Sequence, residues 1–428
     1  MMRKISLTKR SALLGLLVFG VLLGAASAQT ESVLYSFCAH SNCTDGVNPA
    51  AGLAFDQNGN QYGTTFFGGA GEVGVVFKLT PKGKETVLYS FCPHFDNCPD
   101  GQLPQAGLVF DQKGNLYGTT SAGGTHCGGC GTVFKLTPKG EETVLHSFGV
   151  GNDGFDPRAG LVFDQKGNLY GTTFSGGAHG DGIVFKLTPN GKETVLYSFC
   201  GRTNCTDGGY SAAGLVFDQK GNLYGTTTGG GAHGEGVVFK LTPTGKETVL
   251  YSFCRKTNCT DGASPIAGLI FDQKGNLYGT TVRGGLHNVE CTNTSDKTCG
   301  VVFKLTPKGE EIVLHSFCAQ TNCTDGDGPS AGLVFDQKGN LYGTAFSGGV
   351  SNPDNCSGSN FTCGVVFKLT PKGKETVLHS FCGKTNCTDG QGPMAGLIFD
   401  QKGNLYGTTY DGGAHEEGRA GVVFKLTP

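Results

Sequence analysis

The segment FDQKGNLYGTT, or a near copy, begins at Phe55, Phe110, Phe163, Phe217, Phe271, Phe335 and Phe399, and this repetition constrains the fold more than any other feature. Successive starts lie 55, 53, 54, 54, 64 and 64 residues apart. That period is long for a solenoid coil and suits a blade of four strands with its loops. Each period holds four β-type runs, illustrated by residues 213–218, 222–227, 236–242 and 247–253 and here called a, b, c and d. Gly221-Asn222 and Gly245-Lys246 fall in short turns between a and b and between c and d, and no helical segment intervenes. The runs are nearly continuously apolar, as in Gly-Val-Val-Phe-Lys-Leu, which fits sheets covered on both faces.

The phase of the repeat adds an independent argument. After its first thirty residues the chain opens with a lone d strand, residues 31–37, and it ends with a, b and c over residues 395–428. Pairing the first strand with the last three completes the seventh blade and leaves only short outer edges. The expected fold is therefore all-β: a single-domain, seven-bladed β-propeller over residues 29–428, with four antiparallel strands per blade.

The first 28 residues predict a cleaved secretory signal peptide. Arg3, Lys4, Lys9 and Arg10 precede an apolar run from Ala12 to Leu23, and Ala26-Ser27-Ala28 has the small-x-small spacing of a cleavage site after Ala28. The run is too short to span a bilayer, and no later stretch is long and uncharged enough to do so. The expectation is a secreted, extracellular or periplasmic protein without a membrane span or visible anchor. Glycine supplies 73 of the 428 residues without a collagen-like period, which points to frequent turns. A net charge of −2 gives no reason to expect nucleic acid as a partner.

The linked segments NLYGTT, GG, GVVFKLTP and TVLYSF, recurring in this order over residues 31–428, resemble the GloVer tandem-repeat proteins, a choice-of-anchor extracellular family. The resemblance implies export and propeller-like repeats, and it implies no particular activity. Members often carry a C-terminal anchor, whereas this chain stops at Lys425-Leu426-Thr427-Pro428.

In such a blade the a-to-b and c-to-d turns share one side of the disk, and the b-to-c and d-to-a loops share the other. The turns are nearly invariant among the repeats. The loops vary, and two carry ten-residue insertions after Gly285 and Gly349. Variable loops on a rigid scaffold are the usual seat of binding. All eighteen cysteines fall on the loop side in nine close pairs: Cys38 with Cys43, Cys92 with Cys98, Cys127 with Cys130, Cys200 with Cys205, Cys254 with Cys259, Cys291 with Cys299, Cys318 with Cys323, Cys356 with Cys363, and Cys382 with Cys387. Pairs are gained or lost together, as disulfide partners are. A zinc or redox site at Cys127-Gly128-Gly129-Cys130 would need a second ligand pair or a following helix, and neither is present.

Several residue sets carry possible chemistry. Asp45, Asp100, Asp153, Asp207, Asp261, Asp325 and Asp389, each before a Gly in a d-to-a loop, form a candidate acidic ring at the channel mouth, suited to a cation or sugar hydroxyls. The alternative is that each closes an Asx-type turn. Asp56, Asp111, Asp164, Asp218, Asp272, Asp336 and Asp400 precede the opposite turns and read as turn acceptors. His126, His179, His233, His287 and His415 follow Gly-Gly in b-to-c loops, one per blade, too far apart around a ring to share one ion.

Catalysis and recognition break symmetry, so residues unique to one blade matter more: Phe155, Asp156 and Arg158 in the cysteine-free loop, Tyr210 in the next, and Glu290 in an insertion, with Asp153 of the cysteine-free loop as a further candidate ligand contact. Arg158 precedes the inner Ala-Gly, where other copies have Ala, Gln, Ile, Ser or Met, and is the leading candidate to face the channel mouth. Phe66, Phe174, Phe346 and Tyr410 follow strand b and offer stacking surfaces. No nucleophile elbow, HExxH, P-loop or dinucleotide fingerprint occurs, and no cofactor or metal is expected. The leading reading is a monomeric binding module for an extracellular glycan, small molecule or protein. An extracellular enzyme acting at the channel mouth and a purely structural surface protein are the alternatives.

Overall fold

A computed structural model describes residues 30–94, 97–286, 299–350, 363–415 and 419–427. The predicted signal peptide, His287, Glu290, Cys291 and Cys356 lie outside the described residues.

Seven four-stranded antiparallel sheets follow one another in chain order, as the repeat predicts. In the fourth blade the strands are Val216–Phe217, Leu223–Thr227, Val237–Leu241 and Glu247–Ser252. The seventh blade is Ile398–Phe399, Leu405–Thr409 and Val422–Thr427, completed by Thr30–Ser36 from the other end of the chain. The closing strand pairs from Thr30↔Thr427 to Ser36↔Val422. No helix among the described residues is long and apolar enough to cross a membrane.

Strand a is only two residues long in every blade, shorter than its sequence suggests. Its first half serves the neighbouring blade instead. The first threonine of each Gly-Thr-Thr donates its hydroxyl to the alanine carbonyl before the next blade's strand a, as Thr172 does to Ala213 at 3.1 Å. At the closure Thr408 does the same to Ala51 at 3.2 Å. The glycine before it lets strand b lie on the core, because a Cβ at Gly63 would sit 2.7 Å from the Phe77 ring.

Two aromatic ladders hold the blades together. The tyrosine of strand b meets the next blade's strand-a phenylalanine edge-on, as in Tyr224 with Phe271 at 5.1 Å. The phenylalanine after strand d meets the next blade's strand-c phenylalanine, as in Phe199 with Phe239 at 5.1 Å. Phe199 and Phe239 are both fully buried. Burying such a ring contributes about 1.5–3 kcal/mol, and an edge-to-face partner adds about 0.5–1.5 kcal/mol.

Candidate functional site

The turn side is built by the repeated aspartates. Asp218 Oδ1 accepts the backbone N–H groups of Lys220 and Asn222, and Oδ2 accepts Asn222 Nδ2 at 2.6 Å and the Tyr224 hydroxyl at 3.1 Å. Burial raises its pKa, but these four donors outweigh that and hold the carboxyl below its usual range. The Asp-x-x-Gly-Asn-x-Tyr spacing thus encodes a turn.

On the loop side, Cys38–Cys43, Cys92–Cys98, Cys200–Cys205, Cys254–Cys259, Cys318–Cys323 and Cys382–Cys387 each close a d-to-a loop, and Cys127–Cys130 closes a b-to-c loop. Cys299 and Cys363 are also disulfide-bonded, and the partners expected for them lie outside the described residues. Cys200 and Cys205 lie near Asp181, and Cys318 and Cys323 near Cys299, but disulfide sulfurs offer no thiolate to a metal.

The seven aspartates of the candidate acidic ring are committed inside their own loops. Asp207 accepts the Tyr197 hydroxyl at 2.7 Å and the backbone N–H groups of Gly201 and Arg202. Asp45, Asp207, Asp261 and Asp325 have no exposed surface. Asp100 and Asp153 follow the pattern, with Tyr89 and His146 as donors, and Asp389 faces His379. Asp153 is committed to His146 and the Gly154 N–H, while Asp156 pairs with Arg158. Among the repeat histidines, His126 Nδ1 lies 3.1 Å from its own blade's Ser147 carbonyl.

Three positions after each d-to-a loop aspartate lies one residue of a rim on the loop face, namely Asn48, Leu103, Asp156, Tyr210, Ser264, Gly328 and Gly392. All seven are left-handed, with φ between 53° and 63°. The cause is a fixed pair of backbone bonds. Tyr210 N–H donates to the Asp181 carbonyl of the preceding blade at 2.8 Å, and its carbonyl accepts from Thr228 N–H in its own blade at 3.1 Å. The fold demands this conformation, which glycine adopts freely and a side chain adopts at a cost of about 1–2 kcal/mol. Five of the seven positions nevertheless carry side chains of differing chemistry.

At one sector of the rim these side chains converge. Arg158 donates from Nε and Nη2 to Asp156 Oδ2 at 2.9 and 2.6 Å. Its guanidinium lies 3.8 Å over the centre of the Phe174 ring. Phe174 in turn lies 5.4 Å from the Tyr210 ring. A hydrogen bond to Asp181 raises the Tyr210 phenol, with that carboxylate's charge adding to it. Tyr210 and Phe155 are 42% and 40% exposed, so the patch presents ring faces to solvent. Phe155 is held by a short pairing of Gly154–Phe155 with Ser175–Gly176.

Arg158 also lines a 160 Å³ recess at the channel mouth, with Gln105, Ile266, Ser330 and Met394 from other blades. Sequence reasoning singled out Asp156, Arg158, Phe174 and Tyr210, and the fold brings them together. It did not find Asp181, whose signal is an Asp just before the Gly that precedes strand c, where the other copies have Val, Cys, Glu or Ala, or the left-handed ring, which has no signal in residue type.

A model of the Gloeobacter/Verrucomicrobia repeat matches residues 20–216, 89–293, 202–353 and 289–428. No curated protein matches the chain. Among solved structures, the extracellular domain of a protein described as a one component system of B. thetaiotaomicron superposes with a TM-score of 0.55 at 10% identity, covering 92% of this chain and 40% of that one. This chain thus spans less than half the length of that relative. A polysaccharide lyase described as an ulvan lyase gives a TM-score of 0.53 at 11% identity, over 92% of this chain and 95% of its own. A gluconolactonase from Xanthomonas campestris gives 0.42 at 16% identity, over 75% and 87%.

Proposed function

This chain belongs to the Gloeobacter/Verrucomicrobia repeat family, and from that premise we propose that it is an exported binding module whose loop face takes an extracellular glycan or small molecule at the Arg158–Phe174–Tyr210 sector. The observation that carries this reading is the left-handed rim. A position whose backbone favours glycine, yet holds Asn, Leu, Asp, Tyr or Ser in five blades, is occupied for the side chain it displays. Strain of this kind gathers where a protein must present a group rather than merely fold. The predicted leader and the disulfides support an oxidising, extracytoplasmic setting.

The patch suits a ligand with a flat apolar face and hydroxyl or carboxylate substituents. Phe155 and Tyr210 offer rings, and the exposed part of the Arg158 guanidinium offers donors beside them. An enzymatic reading draws on the same residues, since Asp156, Arg158, Asp181 and Tyr210 supply convergent polar groups in one sector. It lacks a nucleophile with an adjacent base.

A thermal-shift screen of the oxidised protein against oligosaccharides and small metabolites tests the reading, because a ligand of the native state raises the melting temperature by mass action. The expected result is a shift that disappears in Arg158→Ala and Tyr210→Gly. Shifts that persist in both variants would place the ligand elsewhere and sink the proposal.

A further inference from the structure

Two recesses on the turn side lie between blades. One of 620 Å³ separates the fourth and fifth blades. Another of 490 Å³ lies between the seventh and first. They are equivalent by the repeat: each has a strand-c lysine, Lys240 or Lys425, together with the strand-b tyrosine, the paired Asp-Gln turns and the next blade's c-to-d proline.

The lysine is the feature that blade packing does not explain. In the first five residues of strand c every position is buried except the lysine, and Lys78, Lys135, Lys186, Lys240, Lys304, Lys368 and Lys425 are half-buried. Each sits directly opposite the strand-b tyrosine in the sheet register, as Lys240 sits opposite Tyr224. In six of the blades the ammonium lies 5.4 to 5.8 Å from that ring's centre. Among the described residues none of these lysines forms an ion pair. The nearby turn carboxylates are each occupied by four hydrogen-bond donors, as at Asp218. Three cations of the loop face, by contrast, are matched: Arg202 with Glu247 at 2.5 Å, Lys256 with Glu311 at 2.9 Å and Lys384 with Glu31 at 2.8 Å.

We propose that these inter-blade grooves form a second binding surface, separate from the loop face, that takes an anionic polysaccharide, with one strand-c ammonium in each groove receiving a carboxylate or sulfate. An unpaired, partly desolvated cation favours an anion more than a fully hydrated one does. Gln219 and Gln273 at the rim of one groove supply amides for hydroxyl groups. A ring of equivalent grooves favours a polymer with regularly spaced charges, because each added contact is intramolecular once the first is made. The chain's net charge of −2 offers no long-range attraction, so binding rests on the grooves themselves and weakens with salt.

The test compares binding of polygalacturonate, of its trimer and of neutral dextran at low ionic strength, using the whole oxidised protein. One variant carries Lys240→Met, Lys304→Met and Lys425→Met, which keeps the apolar stem over the tyrosine and removes only the charge. A second carries Lys192→Gln, Lys246→Gln and Lys374→Gln, which removes the same charge from the same side outside the two grooves. The expected result is binding of the polymer far above trimer and dextran, weakened by about tenfold in the groove variant and by less than about threefold in the turn variant. The melting temperature of each variant checks that it is folded. If the groove variant unfolds, Lys240→Arg, Lys304→Arg and Lys425→Arg replace it, and these are expected to retain binding. The proposal is overturned if the native protein fails to bind polygalacturonate, if both triple variants lose affinity equally, or if dextran binds as well. Tighter binding of inorganic polyphosphate or single-stranded RNA than of polygalacturonate would overturn the sugar-polymer assignment.

Discussion

Phe55 of the first blade stands edge-on against Tyr406 of the last, ring centres 5.2 Å apart at 86°. Tyr224 and Phe271, in the middle of the chain, meet at 5.1 Å and the same 86°. The junction joining the chain's two ends is therefore built like an internal one.

Tyr406→Ala and Tyr224→Ala should accordingly lower stability by similar amounts, about 3 kcal/mol each, as for other buried aromatic truncations. Denaturant unfolding of both variants checks this. A much smaller loss at Tyr406 would mean that the ring is open in solution.

The left-handed rim predicts an asymmetric swap. Leu103→Gly removes a side chain from a backbone at φ 59° and should not lower the melting temperature, whereas Gly328→Leu imposes one at φ 62° and should cost about 1–2 kcal/mol. Calorimetry on the two variants is sufficient.

Stability should fall from mild acid toward alkaline pH. Burial raises Glu85 and Glu142 to about 7, with the charges of Asp45 and Asp100 adding to the effect. Burial likewise raises Glu193, Glu247 and Glu375 to about 7, and at Glu247 it outweighs the Arg202 guanidinium. These groups bind protons more tightly folded than unfolded, so their contribution is complete below the ordinary glutamate range and is lost as pH rises through about 7. The turn aspartates, held below their usual range, limit stability only in stronger acid. The melting temperature is expected to be higher at pH 5 than at pH 8, and Glu85→Gln should raise it at pH 8 while leaving it unchanged at pH 5. A profile rising toward pH 8 would contradict this account.

Disulfide removal should loosen loops rather than the disk. The Cys200–Cys205 bond spans a sequence separation of five, so the chain-entropy model gives it about 2 kcal/mol. Cys200→Ser with Cys205→Ser should speed amide exchange in residues 200–208 while strand c of that blade, Val237–Leu241, keeps its protection. Equal loss of protection in both would show that the loop holds the blade.

The legibility of the site followed the repeat. Deviations from consensus exposed Arg158, Asp156 and Tyr210, because a residue unique to one copy stands out against six others. Asp153 lies in the same loop, yet its carboxylate is spent on His146 and the Gly154 N–H. Sequence alone does not tell which of two aspartates three residues apart is spent inside its own loop. The invariant strand-c lysines had the opposite difficulty: identical in every copy, they read as consensus, and only the groove revealed them as unpaired.

By itself the sequence determined the blade count, the four strands, the pairing of cysteines described in seven bonds and the closure of the ring. Each of these follows from local pattern and from counting strands. Which side chains meet was decided only by the tertiary structure, because the rim and the grooves are made between blades. Residues such as Arg158 and Tyr210, or Lys240 and Phe271, come from different repeats, and their approach depends on the rotation from one blade to the next.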